Sequence, residues 1–337
     1  MNINEVLQLS DYRFIFENPH LGDRIMFLTL GGSHAYGTNN ENSDIDIRGV
    51  TLNSPDELIG IKSFEQHDDA DTDTVIYSFN KIVKLLLNCN PNTIEMLGCR
   101  PEDYAMVSPL GQKLIDNVDL FLSKRAYHSF CGYANSQLRR LQNAVARDRV
   151  SQAMKEEHIM KSMLIGMKSF KERYTQFDDN SVVIHIEDSD KADMDKELMV
   201  DINLNDYPLR ELSGMLGEMN NIIRDYDKLN HRNHKKDEAH LCKHAMHLVR
   251  LFLMCYDILV YHKVKTYRED EHELLMDIRN GKYMNPDGTF KDEFFDLVTY
   301  HENRLAEAYA ISTLPDAPDY EKVNEFVKEI NLAAVLM

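Results

Sequence analysis

The stretch RIMFLTLGGSHAYGTNNENSDIDIRGVT, residues 24–51, decides how the rest of the chain is read. Arg24 to Leu30 is an apolar run of the length of one buried strand, and it stops at the paired glycines Gly31 and Gly32. From Ser43 to Thr51 the character alternates: in an extended chain Ile45 and Ile47 fall on one side, and Asp44, Asp46 and Arg48 on the other. One face of this second strand belongs to a core and the other is ionic.

Two carboxylates at i and i+2 on one strand face repel each other, so a cation belongs beside them. Hard oxygen donors of this kind suit Mg²⁺ or Mn²⁺, and two such ions roughly 3.5–4 Å apart serve phosphoryl-type chemistry. The turn that precedes them is complementary. Gly31 and Gly32 let the backbone approach a triphosphate, Ser33 can donate a hydrogen bond, and a helix start offers free N–H groups. An acid-x-acid pattern alone is a common surface feature; its weight comes from the glycine turn at the right distance before it. Arg48 shares the acidic face, where it can reach a triphosphate or acceptor oxygen or simply neutralise Asp46. His34 can donate to phosphate or cap the turn, and Tyr36 is expected to pack beneath it.

Further along, Ser54-Pro55-Asp56-Glu57-Leu58 reads as a capped helix start, and Thr72 to Phe79 as a third strand. A helix then runs to about Asn88. Asn90-Pro91-Asn92 breaks it, and Thr93 to Leu97 begins another short one. Beyond about Ser123, apolar residues recur at three and four over segments near 126–147, 151–174, 208–229, 238–262 and 291–311, which predicts helices. Ser181 to Ile186 and Leu198 to Leu204 interrupt them as a β-hairpin, at about 181–205, around an acidic solvated tip. The fold class expected is α+β: a small mixed-sheet domain followed by a mainly helical domain with an inserted β-hairpin.

Residues 27–47 resemble the signature of the DNA polymerase β-type nucleotidyltransferase superfamily: a hydrophobic strand, Gly-Gly or Gly-Ser, a short helical spacer, then acid-x-acid. A closer resemblance is to a bacterial and phage branch of nucleotidyltransferases with Gly-Ser-x-x-Tyr-Gly-Thr followed by Ser-Asp-x-Asp-x-Arg-Gly-Val. Gly32, Ser33, Tyr36, Gly37, Thr38, Ser43, Asp44, Asp46, Arg48, Gly49 and Val50 match it. The likeness continues through Tyr77 to Lys81 and Asn90 to Leu97, and returns at Lys243 to Leu251. It implies that the first domain, 1–123 by the change of pattern near Ser123, is catalytic and the domain over 124–337 is the helical one, with transfer of a nucleoside monophosphate from an NTP to an acceptor. It also implies a third metal-binding acid on a neighbouring strand. Asp73, at the start of the third strand, is the first choice for it, with Asp71, Asp69 and Glu95 as rivals.

On the helix near 238–262, His240, Lys243, His244, His247 and Arg250 form one polar stripe opposite Leu241, Ala245, Leu248 and Phe252. The stripe can meet phosphate or acceptor, or it can be a solvated face; no carboxylate or cysteine pattern accompanies it to suggest zinc. Two further cationic segments invite the same two readings: His231 to Lys236, and Tyr133, Ser136, Gln137, Arg139, Arg140, Arg147 and Arg149. Met154, Met160, Met163 and Met167 read as core and interface filler.

The 337 residues, 43% apolar and 28% charged, are ordinary globular usage and enough for two domains. A formal charge of −18 disfavours nonspecific duplex binding, so any nucleic-acid contact must use a local basic patch. Met1 to Asp11 lack a signal-peptide pattern, the apolar stretch Leu248 to Val260 is broken by Arg250 and Asp257, and five cysteines show no CxxC spacing. A cytoplasmic protein with reduced thiols and no membrane span is expected. The acceptor is left open between a nucleic-acid 3′ end, a protein hydroxyl and a small molecule. The competing class is a nucleotide-sensing or catalytically silent binding protein on the same fold that docks a protein partner.

Overall fold

The computed structural model describes residues 3–41, 43–149, 182–188, 196–205 and 238–337, with the isolated positions 209, 212, 213, 216 and 220. By their contacts, residues 1–140, 238–285 and 290–337 form one compact unit, and residues 141–237 with 286–289 form a second. Helices from the C-terminal third thus group with the N-terminal sheet, the last of them through Phe326 against Phe79 and Phe121.

The sheet has five strands: β1 Ile25–Leu30, β2 Ile47–Thr51, β3 Gln66–Asp69, β4 Thr74–Ser78 and β5 Tyr104–Ala105, in the order β3-β4-β2-β1-β5. All pairs are antiparallel except β2 with β4. Every residue of β1 is buried, as a central strand covered on both faces requires. On one face Leu28, Leu30, Ile47 and Ile76 join Ile3, Val6, Tyr12, Ile15 and Leu21 from the N-terminal segment, which contains α1 Ile3–Val6 and α2 Phe14–Glu17. Gly49 lies opposite Leu28, and a Cβ there would fall 2.5 Å from the Leu28 side chain, so glycine keeps that row closed.

The second strand is shorter than expected. It begins at Ile47, not Ser43, because its ladder to β1 ends at the pair Leu30↔Ile47. Past Leu30 the chain turns away at Gly31, and residues 43–45 have no strand to pair with. The third strand is likewise Thr74–Ser78, with Asp73 just ahead of it at a φ of +45°. Gln66–Asp69 is a strand the pattern does not announce: QHDD carries no apolar residue, which suits a partly exposed edge strand.

Short helices link the strands: α3 Gly32–Ala35, α4 Pro55–Leu58, α5 Phe79–Leu86, α6 Pro91–Ile94 and α7 Pro109–Asp116. The helix α4 starts as its sequence foretells, with Ser54 and Glu57 forming a reciprocal capping box around Pro55. Long helices follow: α8 Arg125–Arg149, α9 Glu238–Tyr261, α10 His272–Arg279, α11 Asp292–Ile311 and α12 Tyr320–Leu336. Phe326 of α12 packs against Phe79 and Phe121, with ring centroids 6.3 and 6.4 Å away. Among the described helices, α9 is long and apolar enough to cross a membrane, at a mean hydropathy of 1.2, but 67% of that stretch is buried inside the protein. In the second unit β6 Val182–Asp188 and β7 Lys196–Ile202 pair antiparallel, from Val182↔Ile202 to Asp188↔Lys196. The helices expected at 151–174 and 208–229, the run His231 to Lys236 and the Met154 to Met167 group lie outside the described residues, isolated positions aside.

Candidate active site

The glycine turn and the acids meet through the backbone. Gly31 N–H donates to the Asp46 carbonyl at 2.8 Å, which carries the ladder one step past the end of β1. Gly32 follows with φ +51°, and a Cβ on it would lie 1.7 Å from Asp46 Oδ2. Glycine is therefore required twice at this position, by the left-handed backbone and by the carboxylate lying against it. The Ser33 hydroxyl has no hydrogen-bond partner among the described residues, although the residue is 8% exposed.

Parallel pairing brings the second acid alongside. Because Ile47 is opposite Thr74, the residues just before them, Asp46 and Asp73, lie side by side. Their carboxyl groups hydrogen-bond to each other. Burial first, then this bond, pushes Asp46 up to about 7 against the pull of Arg48. The same bond, with Arg48 and Lys243, holds Asp73 below the usual carboxylate range despite partial burial. Of the two, Asp46 is shifted towards its neutral form and Asp73 towards its charged form. Arg48 bridges the pair, with Nη2 3.2 Å from Asp73 Oδ1 and 3.7 Å from Asp46 Oδ1, while Nη1 donates to the Asp73 and Ile47 carbonyls.

Asp44 stands apart: it is exposed and makes no hydrogen bond or ion pair with a described residue. Among the described residues no three of His, Cys, Asp and Glu converge as a metal cluster. The donors nonetheless fit a hard cation in kind. Two carboxylates lie against each other, and the missing Cβ of Gly32 keeps open the space beside Asp46 Oδ2. Of the rival acids, Asp69 accepts from Thr72 N–H and Oγ1 at 2.9 and 2.8 Å, and Glu95 is engaged elsewhere; Asp71 is exposed.

The polar stripe of α9 divides along its length. Lys243 lies close enough to Asp46 and Asp73 to favour their charged forms. His244 Nδ1 is 3.1 Å from Gln137 Oε1 on α8. Arg250 is buried, stacked 3.5 Å above the Tyr36 ring, with Nη2 3.7 Å from Glu95 Oε2. Tyr36 donates to that same Glu95 carboxylate at 2.6 Å, so phenol, guanidinium and carboxylate form one buried group beneath the turn. His240 and His247 are each engaged by a neighbour. His34 has a buried Nε2 without a hydrogen-bond partner among the described residues. In the α8 segment, Tyr133 accepts from Asn90 Nδ2 and Ser136 bonds back to the Gly132 carbonyl.

Three residues from the helix α10 region join the site without a sequence signal. Tyr267 packs on Gly37, whose φ is +67° and whose added Cβ would lie 2.3 Å from the ring. His272 Nε2 donates to the Gly37 carbonyl at 2.8 Å, and Arg279 Nη2 donates to Ser43 Oγ at 3.0 Å. The run HELLMDIR has helical spacing, which exposes the helix but not its destination.

No curated protein and no solved structure matches the chain. A family model does, that of RlaP, over residues 8–195, more than half of the chain and including every strand of the sheet. With the glycine turn, the paired acids and this match together, the chain belongs to the RNA repair pathway DNA polymerase beta family, a group of the polymerase β-type nucleotidyltransferase superfamily.

Proposed function

We propose that this chain moves a nucleoside monophosphate from an NTP to an RNA end, releasing pyrophosphate, in a reaction that needs a divalent cation such as Mg²⁺ or Mn²⁺. The observation that carries the reading is the Asp46–Asp73 carboxyl pair, bridged by Arg48 and lying against the Gly31–Gly32 turn. Asp46 and Asp73, with Asp44 two residues upstream, would hold the cation. When bound, it neutralises triphosphate charge and acidifies the attacking hydroxyl.

The protein's own groups do the rest. The glycine turn admits the triphosphate to the backbone, and the Ser33 hydroxyl donates to a phosphate oxygen. Arg48 and Lys243 supply positive charge beside the leaving pyrophosphate. The acceptor oxygen forms a bond to the α-phosphorus as the bond to the bridging oxygen breaks, and its proton passes to the Asp73 carboxylate. The family's description favours RNA over a protein or small-molecule acceptor. Given a charge of −18, RNA must be met by a local basic surface.

The test is incubation with each α-labelled NTP, RNAs of defined ends, and Mg²⁺ or Mn²⁺. Label on RNA and stoichiometric pyrophosphate are expected, both abolished by Asp46→Ala. Because Asp44 does not converge on the other two acids, a nucleotide-sensing protein on the same fold is the second reading. NTP binding without turnover, across RNA, protein and small-molecule acceptors, would favour it.

A further inference from the structure

The loop from Gly37 to Asp44 joins the phosphate turn to the acids, and the sheet does not hold it. Pairing to β1 begins only at Ile47, and Asp46 is tied by Gly31, so Asp44 must be placed by something else. Within the loop, Ser43 N–H donates to the Asn40 carbonyl at 3.0 Å, Asn40 N–H to Ser43 Oγ at 2.8 Å, and Ser43 Oγ to Asn40 Oδ1 at 3.0 Å. The hydroxyl has one proton and two lone pairs, so one acceptor position is left, and Arg279 Nη2 fills it at 3.0 Å. At the other end of the loop, Gly37 is pinned by Tyr267 and His272. The strap bearing these groups is itself anchored to the sheet unit, since Thr266 donates twice to the Gly98 carbonyl and Tyr267 lies under the Arg100 guanidinium at 4.1 Å.

Arg279 is an expensive choice for this contact. It has no carboxylate partner among the described residues, its Nη1 is buried without a hydrogen bond, and burial pulls its pKa down. A part-buried guanidinium whose described contact is a serine hydroxyl is poor as a stability device. Its placement makes sense for a residue that must fix the backbone immediately before Asp44.

We propose that Arg279 is a positioning residue for the metal site, acting through Ser43 to hold the loop from which Asp44, exposed two residues from Asp46, would reach a cation held by Asp46 and Asp73. The inference rests on the acids binding a divalent cation, as in the proposed function. It assigns a part in that site to α10, outside the segment matched by the family.

The test uses the full chain and Mn²⁺ as the probe, with free Mn²⁺ read by electron paramagnetic resonance. Arg279→Gln and Ser43→Ala should each weaken Mn²⁺ binding by about 10-fold, as loss of a group behind a ligand does. The double variant should be no worse than Ser43→Ala alone, because that change already removes the Arg279 contact along with the two to Asn40. Arg279→Lys, which keeps charge and one donor, should recover part of the affinity. Amide exchange across residues 37–46, measured without metal, should quicken in Arg279→Gln while the exchange of β1 is unchanged. Affinity within twofold of the parent, multiplying effects in the double variant, or unchanged loop exchange would each overturn the proposal. Asp46→Ala separates the two levels: if it leaves Mn²⁺ binding intact, the metal reading itself fails, whatever Arg279→Gln does.

Discussion

Replacing Gly32 with alanine separates the stability of the turn from its chemistry. The backbone there has φ +51°, where a non-glycine residue costs about 1–2 kcal/mol. For a protein of this size that lowers Tm by roughly 1–3 °C. The larger effect is local. The new Cβ would sit 1.7 Å from Asp46 Oδ2, against 3.4 Å for ordinary contact, so the carboxylate must retreat by about 1.7 Å. A carboxylate can do so by rotating, and the fold loses little by it. A site that depends on that oxygen loses much: misplacement by 1 Å costs on the order of 10²-fold in rate. The expected variant is therefore folded, slightly less stable, and at least ~10²-fold slower in pyrophosphate release. The assay is steady-state release from NTP and RNA, paired with calorimetry and Mn²⁺ binding. Parental rate and Mn²⁺ affinity in a folded Gly32→Ala protein would refute the role given to Asp46. A Tm fall far beyond that range would show that the turn is structural first.

Gly37→Ala meets the Tyr267 ring at 2.3 Å with φ +67°, so it should lower Tm more than Gly32→Ala does, by differential scanning calorimetry. Arg250→Ala strands the Glu95 carboxylate beneath the turn and should cost about 3–5 kcal/mol in urea unfolding; equal stability would mean that the buried pair is solvated. His301 is 5% exposed beside Phe252, and burial holds its pKa down to about 4 from 6.5. Its neutral form contributes stability that is complete above pH 6.5 and lost as pH falls towards 4, up to about 3 kcal/mol. His301→Phe should remove that part of the slope, and an unchanged acid-unfolding curve would exclude it. A chain cut after residue 195, where the family match ends, loses α9 to α12 and should show no cooperative thermal transition.

The first strand, the glycine turn, the α4 cap and the hairpin at 182–202 are legible because each is a local event: an apolar run, a φ only glycine tolerates, a reciprocal cap, a period of two. The placement of Asp73 beside Asp46 is not local. It follows from the register Ile47↔Thr74 between parallel strands, which the sequence marks only as two neighbouring acids. Alternation extends the second strand through Asp44, but alternation cannot say where a partner strand stops. The stripe on α9 shows the same limit: one helical face carries Lys243 towards the acids and, two turns on, buries Arg250 under Tyr36. The final helix did carry a signal, Val323, Phe326, Ile330 and Ala334 behind an Asp319 cap, whereas Arg279 carried none, since its partner is a serine 236 residues away.

The order of the chain has a consequence for its synthesis. All five strands have left the ribosome once Ala105 emerges, yet Phe326, which packs on Phe79 and Phe121, comes from the last helix. At roughly 5–20 residues per second the nascent sheet waits on the order of 10–40 s with this flank uncovered. During that interval the Phe79 side of α5 has no Phe326 to cover it, and Ser43 has no Arg279 to donate to it.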